Sequence, residues 1–395
     1  MEKLIYMDNA ATTSTAPEVV SAMLPFFTEY YGNPSSVYNF AQKSRMAIEE
    51  AREIIADSIG AAKSNEIYFT GGGSESDNWA LKSAAFGLRD KGNHIITTKI
   101  EHHAILNTCA YLEKNGFEVT YLDVDSEGFV SLEDVENAIT EKTILISVMF
   151  ANNEIGTIEP VCEIGEIAHK HGILFHTDAV QAMCHVPINV TEMNIDLLSA
   201  SAHKFHGPKG IGFMYMKNSA KLEPFIHGGA QERARRAGTS NVPGIVGMGQ
   251  AVKLALSTLD KDTHTIINMR NYIVDRILGE IPDVTFDGPC IDANAVSAGS
   301  PAGSLKRLPS NMHFCFKDVS GDSLLIMLDM NGICASSGSA CAAGSIDPSH
   351  VLLAIGRSKG ETKGALRLSI DKDLTKEDAD YAIDALKAAV ARLRR

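Results

Sequence analysis

No Cys-x-x-Cys pair occurs in the 395-residue chain, which disfavours a compact zinc site. Its seven cysteines, at 109, 162, 184, 290, 315, 334 and 341, are scattered and odd in number. A disulfide framework is therefore disfavoured as well, and most of these thiols, set in apolar runs, read as inert core residues. Long apolar runs are also missing. The first eight residues lack the apolar core of a signal peptide, and stretches such as 143–151 are too short to span a bilayer. Positive charge is in deficit: 36 Lys and Arg stand against 49 Asp and Glu, a formal net charge of −13. Such a balance repels phosphate backbones and anionic lipid, so neither nucleic acid nor a membrane surface is an expected direct partner. The chain reads as cytoplasmic. Arg392, Arg394 and Arg395 fit the end of a helix better than a basic patch. No internal repeat is visible.

What is present is ordinary for a globular protein: 45% apolar and 22% charged residues. The length exceeds one common core and suggests two domains. Apolar runs expected as strands at 66–70, 94–100, 118–124, 143–151 and 173–177 alternate with helical patterns at 40–59, 74–89, 103–115 and 161–171. Short apolar strands between helices imply a mostly parallel sheet covered on both faces. The alternation weakens after about residue 255. There a helix is expected at 254–278, a long exposed loop at 290–310, a strand at 312–316 and a helix at 376–393, together a smaller second domain.

Three motifs place polar residues where such a sheet presents ligands. Thr70-Gly71-Gly72-Gly73-Ser74-Glu75-Ser76 comes after a strand and opens a helix. Its glycines permit close backbone approach and its free amides attract an anion; a tight turn capped by Ser74 reads equally well. It lacks both the Gly-Lys-Ser/Thr of a P-loop and the Gly-x-Gly-x-x-Gly of a dinucleotide site, which disfavours a nucleotide-binding enzyme. In Phe175-His176-Thr177-Asp178-Ala179-Val180-Gln181, Asp178 closes an apolar strand; it could hold a cationic ring nitrogen, or simply cap a helix after the strand. In Ser199-Ala200-Ser201-Ala202-His203-Lys204-Phe205-His206-Gly207-Pro208, the strand expected at 195–198 delivers Lys204 into a Gly/Pro-bounded turn. A desolvated lysine beside other donors suits Schiff-base chemistry.

In this order, and with Asp8-Asn9-Ala10-Ala11-Thr12-Thr13, Gly32-Asn33-Pro34-Ser35-Ser36, Glu101-His102-His103, Asn152-Asn153-Glu154, Arg236-Ala237-Gly238-Thr239 and Ser336-Ser337-Gly338-Ser339-Ala340-Cys341, the chain resembles the fold-type I pyridoxal-phosphate enzymes of the class V aminotransferase group. Within that group it is similar to the cysteine desulfurases of the NifS/IscS type, over nearly its whole length. The resemblance implies an α/β fold in which residues 13–255 form a large cofactor domain with a mostly parallel sheet. Residues 1–12 and 256–395 then form a smaller α+β domain carrying a mobile Cys341 loop.

The same resemblance implies site roles. Lys204 binds pyridoxal 5'-phosphate covalently and moves protons, Asp178 pairs with the ring nitrogen, Gln181 contacts the ring hydroxyl and His102 stacks on the ring and takes part in catalysis. Gly73, Ser74, Ser201 and His203 surround the phosphate, and Thr239 reaches the phosphate of a neighbouring subunit in a homodimer. Asn153, Arg367 and Asn33 face the substrate, L-cysteine, and Asn153 also borders the cofactor. Cys341 takes the sulfur as a persulfide, leaving L-alanine. It then passes the sulfur to an acceptor protein such as an iron–sulfur scaffold or a tRNA-thiolation carrier. No metal is expected beyond transient contact of Cys341 with a cluster. Tyr38, Ala202, the insertion-like stretch 290–306 and Gly364-Ala365-Leu366 before Arg367 depart from the family pattern, without removing a catalytic group. A selenocysteine lyase is the nearest alternative, and a non-catalytic sulfur-assembly subunit the more distant one.

The small residues around Cys341 are expected to give its thiol the access and mobility that sulfur capture needs. Cys341→Ser is therefore expected to bind cofactor and cysteine normally yet to lose alanine formation, because a hydroxyl cannot store sulfur. Mass spectrometry of wild-type protein given cysteine without reductant should find the added sulfur on the Cys341 peptide; finding it on Cys334 would refute the assignment.

Overall fold

The computed structural model describes residues 4–220, 222–291, 305–337 and 348–395; Cys341 and residues 292–304 of the insertion-like stretch lie outside them. Seven strands form one sheet in the order Ile67–Thr70, Gly212–Met216, Leu197–Ser201, Leu174–Asp178, Thr143–Ser147, His94–Thr98, Glu118–Leu122. The five strands from Leu197–Ser201 to Glu118–Leu122 pair in parallel, and Gly212–Met216 is antiparallel to both of its neighbours. Successive side chains enter opposite layers. Ile96, Ile146, Leu198 and Phe213 join a core with Ile48, Ile55, Ile164 and Val252. Ile95, Leu145, Leu197 and Met214 join one with Trp79, Leu81, Ile105 and Leu112. Because both faces are covered, the strands read as continuous apolar runs rather than as alternating ones.

A second construction gathers the two ends of the chain. Ala365–Ser369, Asn311–Phe316 and Val284–Phe286 form an antiparallel sheet, with His313 opposite Arg367. Ile5–Tyr6 pairs in parallel with Ile333–Cys334. Ile5, Met7, Phe314, Leu328, Leu366 and Leu386 share a core beneath the helix Lys376–Leu393. Arg394, the residue after that helix, donates to the carbonyls of Lys317, Pro282 and Asp283.

Several expectations need correction. The strand before Lys204 runs Leu197–Ser201 rather than 195–198, so Ser199 and Ser201 belong to it. The long helix is Val242–Glu280, twelve residues longer at its start than expected. Gly244, Gly247 and Gly249 make that segment look like loop, yet they serve close packing: a Cβ on Gly249 would lie 2.8 Å from the Ala51 Cβ. This helix is long and apolar enough to cross a membrane by composition, which the apolar runs do not suggest, but Met248, Val252, Ile273 and Ile277 are buried in the two cores. The expected exposed loop turns inward at Arg307, Leu308 and Pro309, which are buried. Arg307 donates to the Pro289, Asn311 and Asp287 carbonyls. Among the thiols, Cys109, Cys184 and Cys315 are buried, whereas Cys162 and Cys290 are exposed.

Leu366 has no exposed surface and precedes Arg367 on its strand. Leu366→Ala is expected to cost about 2–5 kcal/mol, read as a lower urea midpoint. A midpoint matching the wild type would show that the small sheet adds no stability there.

Candidate active site

The parallel strands end on one side of the sheet, and a cavity of about 290 Å³ opens there. Gly73 and Ser74 reach it from the first turn of the helix Gly73–Gly87. Gly72 precedes that helix at φ +150°, and a Cβ on Gly73 would meet Val180 Cγ2 at 2.6 Å. Both positions therefore need glycine to keep the amide-lined cradle open. Ser74 is the second helical residue, and Gly72, not Ser74, is the cap.

Asp178 ends its strand at 6% exposure, with Oδ1 accepting from the Val180 amide at 2.9 Å. It thus caps a turn and lines the cavity at once. Burial pushes its carboxyl upward, opposed by His102, the Val180 amide and Lys204. Asp77 lies beside it, with carboxylate and imidazole atoms of Asp77, His102 and Asp178 within 4.8 Å of one another. Burial, and then Asp178, hold the Asp77 carboxyl well above the usual range. Next to this pair, desolvation lowers His176 to about 3, so it is neutral; it bridges Ser147 at 2.9 Å and Ser199 at 3.0 Å.

Lys204 comes after the strand Leu197–Ser201 in a short 3-10 turn. Its Nζ donates to the carbonyls of Ala10 at 2.6 Å and Ala11 at 2.8 Å. Gln181 Nε2 also donates to Ala10, at 2.9 Å. His102 caps the helix His103–Glu113, its Nδ1 accepting from the Ala104 amide at 3.1 Å; the neutral ring therefore carries its proton on Nε2. His203, lowered to about 4 first by burial and then by Lys204 and Lys209, is neutral too. Arg367 is 2% exposed, holds Asp8 at 2.8 Å and donates to the Asn153 carbonyl at 2.9 Å. Asn153, Ser201, His203 and Arg367 all line the cavity.

Asn33 and Thr239 are exposed and outside this cavity. The Asn33 Oδ1 is taken by the Ser35 amide at 3.0 Å. Residues that sequence reasoning passes over also line the wall, namely Asp77, Met149 and His350, together with His103 and Glu154, which it names in motifs without assigning them a role. Asp77 was findable, since it sits four residues after Gly73 and so on the same helical face. No sequence signal points to His350.

A class-V aminotransferase model matches residues 5–382, and the chain belongs to that family. It is 54% identical over 394 residues to the cysteine desulfurase IscS of Clostridium botulinum strain Hall, covering 100% of this chain and 96% of the relative. The IscS of Methanosarcina thermophila is 52% identical over 392 residues, covering 99% and 93%. A solved NifS-like protein superposes with a TM-score of 0.90 at 36% identity, covering 99% of this chain and 100% of that one. SspA in complex with cysteine gives 0.78 at 39% identity, covering 93% and 99%. Within the family the chain falls among the cysteine desulfurases.

The cofactor of these enzymes is pyridoxal 5'-phosphate, and the residues present suit it. The open glycine cradle matches a phosphate, the buried Asp178 a cationic ring nitrogen and Lys204 a carbonyl carbon. Asp178→Ala is expected to keep the fold but lower turnover by at least roughly a hundredfold, about 3 kcal/mol in barrier. Near-normal turnover with cofactor bound would remove Asp178 from the ring-nitrogen role.

Proposed function

We propose that this cavity removes sulfur from L-cysteine, giving L-alanine and a persulfide on Cys341. The observation that carries this reading is the convergence of Lys204, Asp178 and Arg367 on one cavity from three separate segments. Bound pyridoxal phosphate supplies an electron sink for bonds at the substrate α- and β-carbons. Gly73, Ser74, Ser201 and His203 hold its phosphate, Asp178 keeps its ring nitrogen protonated, and Gln181 and His102 contact the ring.

Arg367 meets the substrate carboxylate. Asp8 and the Asn153 carbonyl fix the guanidinium, so its planar fork reaches the substrate already oriented. Lys204 would hold the cofactor and move protons at the substrate carbons, with the Ala10 and Ala11 carbonyls ready to receive its ammonium form. His102 presents Nε2–H as a second proton-bearing group. The Cys341 thiolate takes the substrate sulfur, and the carbon keeps the bonding electron pair and gains a proton to become alanine.

The exposed Thr239 suits a contribution to a second subunit, and this reading makes the protein a homodimer with residues 13–255 as the cofactor unit and 1–12 with 256–395 as the smaller unit. Asn33 then serves the substrate only in that assembly. The persulfide passes to an acceptor protein, either an iron–sulfur scaffold or a tRNA-thiolation carrier, in the cytoplasm.

Purified protein given L-cysteine and a reductant should release alanine and sulfide in equal amounts. Arg367→Lys keeps the charge but loses the fork, so it should raise KM for cysteine by roughly tenfold or more while the cofactor stays bound. No alanine from the wild-type protein would end the proposal.

A further inference from the structure

His206 lies two residues beyond Lys204, and its surroundings constrain its charge. Nδ1 is 3.1 Å from the Ser14 carbonyl oxygen. Nε2 is 3.1 Å from Asp371 Oδ2. A carbonyl and a carboxylate accept hydrogen bonds and do not donate them. A neutral imidazole has one N–H and can satisfy only one of the two; the imidazolium satisfies both.

The three segments joined here each bring something to the active cavity. Residues 10 and 11 offer the carbonyls that receive Lys204 Nζ. Residues 203–207 continue from the lysine strand, and Thr13 ties into them: its amide donates to the His203 carbonyl at 2.9 Å, and its Oγ1 accepts from the His206 amide at 2.8 Å. Asp371 lies just past the strand Ala365–Ser369 that presents Arg367. That strand in turn binds the first segment, since the Ala10 amide donates to Ser369 Oγ at 2.8 Å and Arg367 pairs with Asp8.

We propose that His206 is a positioning residue that works as an imidazolium, clamping the segment that receives the Lys204 ammonium to the segment that presents Arg367. Its clamp opens when it loses the Nδ1 or Nε2 proton, because one acceptor is then left facing a lone pair.

The charged neighbours bear this out. The Asp371 hydrogen bond raises His206 above the ordinary histidine range, against the opposing effects of burial and Lys372. Bonding to His206 holds Asp371 below the usual carboxylate range despite its burial. Lys372 is itself paired with Asp262 at 2.7 Å. His185 lies close by; desolvation lowers it, and its Nε2 faces the Lys204 carbonyl at 3.0 Å, which a neutral ring satisfies. Lys209 points instead to the Thr13 carbonyl, at 3.3 Å. A folded-state value above the unfolded one means that the clamp is fully made below the ordinary histidine pKa and is lost as pH rises through the raised one.

The proposal rests on the desulfurase reading only for its activity measurement. Holoenzyme labelled with ¹⁵N-histidine reports the ring state directly, with the His206 signal identified by its absence from His206→Gln. Both ring nitrogens should be protonated at pH 7, and Asp371→Asn should move that titration to lower pH. A neutral His206 ring at pH 7, or a titration indifferent to Asp371→Asn, would overturn the proposal whatever the activity. Alanine formation from cysteine should fall roughly tenfold in His206→Gln, the order expected for one lost charged hydrogen bond. Wild-type turnover should decline at high pH with the midpoint that the ring signal reports, and His206→Gln should lack that decline. If His206→Gln does not fold, Asp371→Asn serves alone: its decline should move with its ring titration. A decline unchanged in either variant would count against the clamp.

Discussion

A carboxylate removed from water at the end of a buried strand is unstable unless a cation faces it, and Asp178 is such a group. It has one amide donor, from Val180, and a second buried carboxyl, Asp77, beside it. Two like charges this close cannot both ionise readily. Burial raises both carboxyls, so the pair is built to receive positive charge from the cavity side, where Lys204 stands. A cationic ring nitrogen fits that demand better than water does. The other groups are arranged around it: Gly73 and His203 line the same cavity, and Arg367 reaches it from the small sheet.

The large sheet is legible in six of its seven strands, because each of those is a short apolar run; Gly212–Met216, antiparallel to both of its neighbours, is not expected from the sequence. Its two covered faces explain why neighbours such as Ile95 and Ile96 are both buried. The helix Lys376–Leu393 is legible to the residue, since Thr375 caps it and apolar positions recur on one face. Glycine points in both directions. At 70–76 it marks a tight strand-to-helix turn, whereas at 244–249 it hides twelve residues of helix, because there the missing side chains let helices approach rather than let the chain turn.

The site is legible to the extent that its residues lie at strand ends or in ordered motifs. Lys204, Asp178 and Ser201 can be placed from the strands before them. Arg367 can be named only through family likeness, since nothing in its own strand tells a substrate ligand from an ion-pair partner. In the structure it pairs with Asp8 while lining the cavity. Met149 and His350 escape notice in the sequence because their place in the wall depends on tertiary packing between distant segments. His206 sits inside the lysine motif, but its meaning lies in Ser14 and Asp371, far away in sequence.

The central claim is that Lys204, held by the Ala10 and Ala11 carbonyls, is the point of cofactor attachment opposite Asp178. Reducing the holoenzyme with borohydride and mapping its peptides tests this most directly. The cofactor should be found on the peptide containing Lys204 and on no other lysine. A label on Lys209, or on no peptide at all in protein that holds the cofactor, would contradict the account.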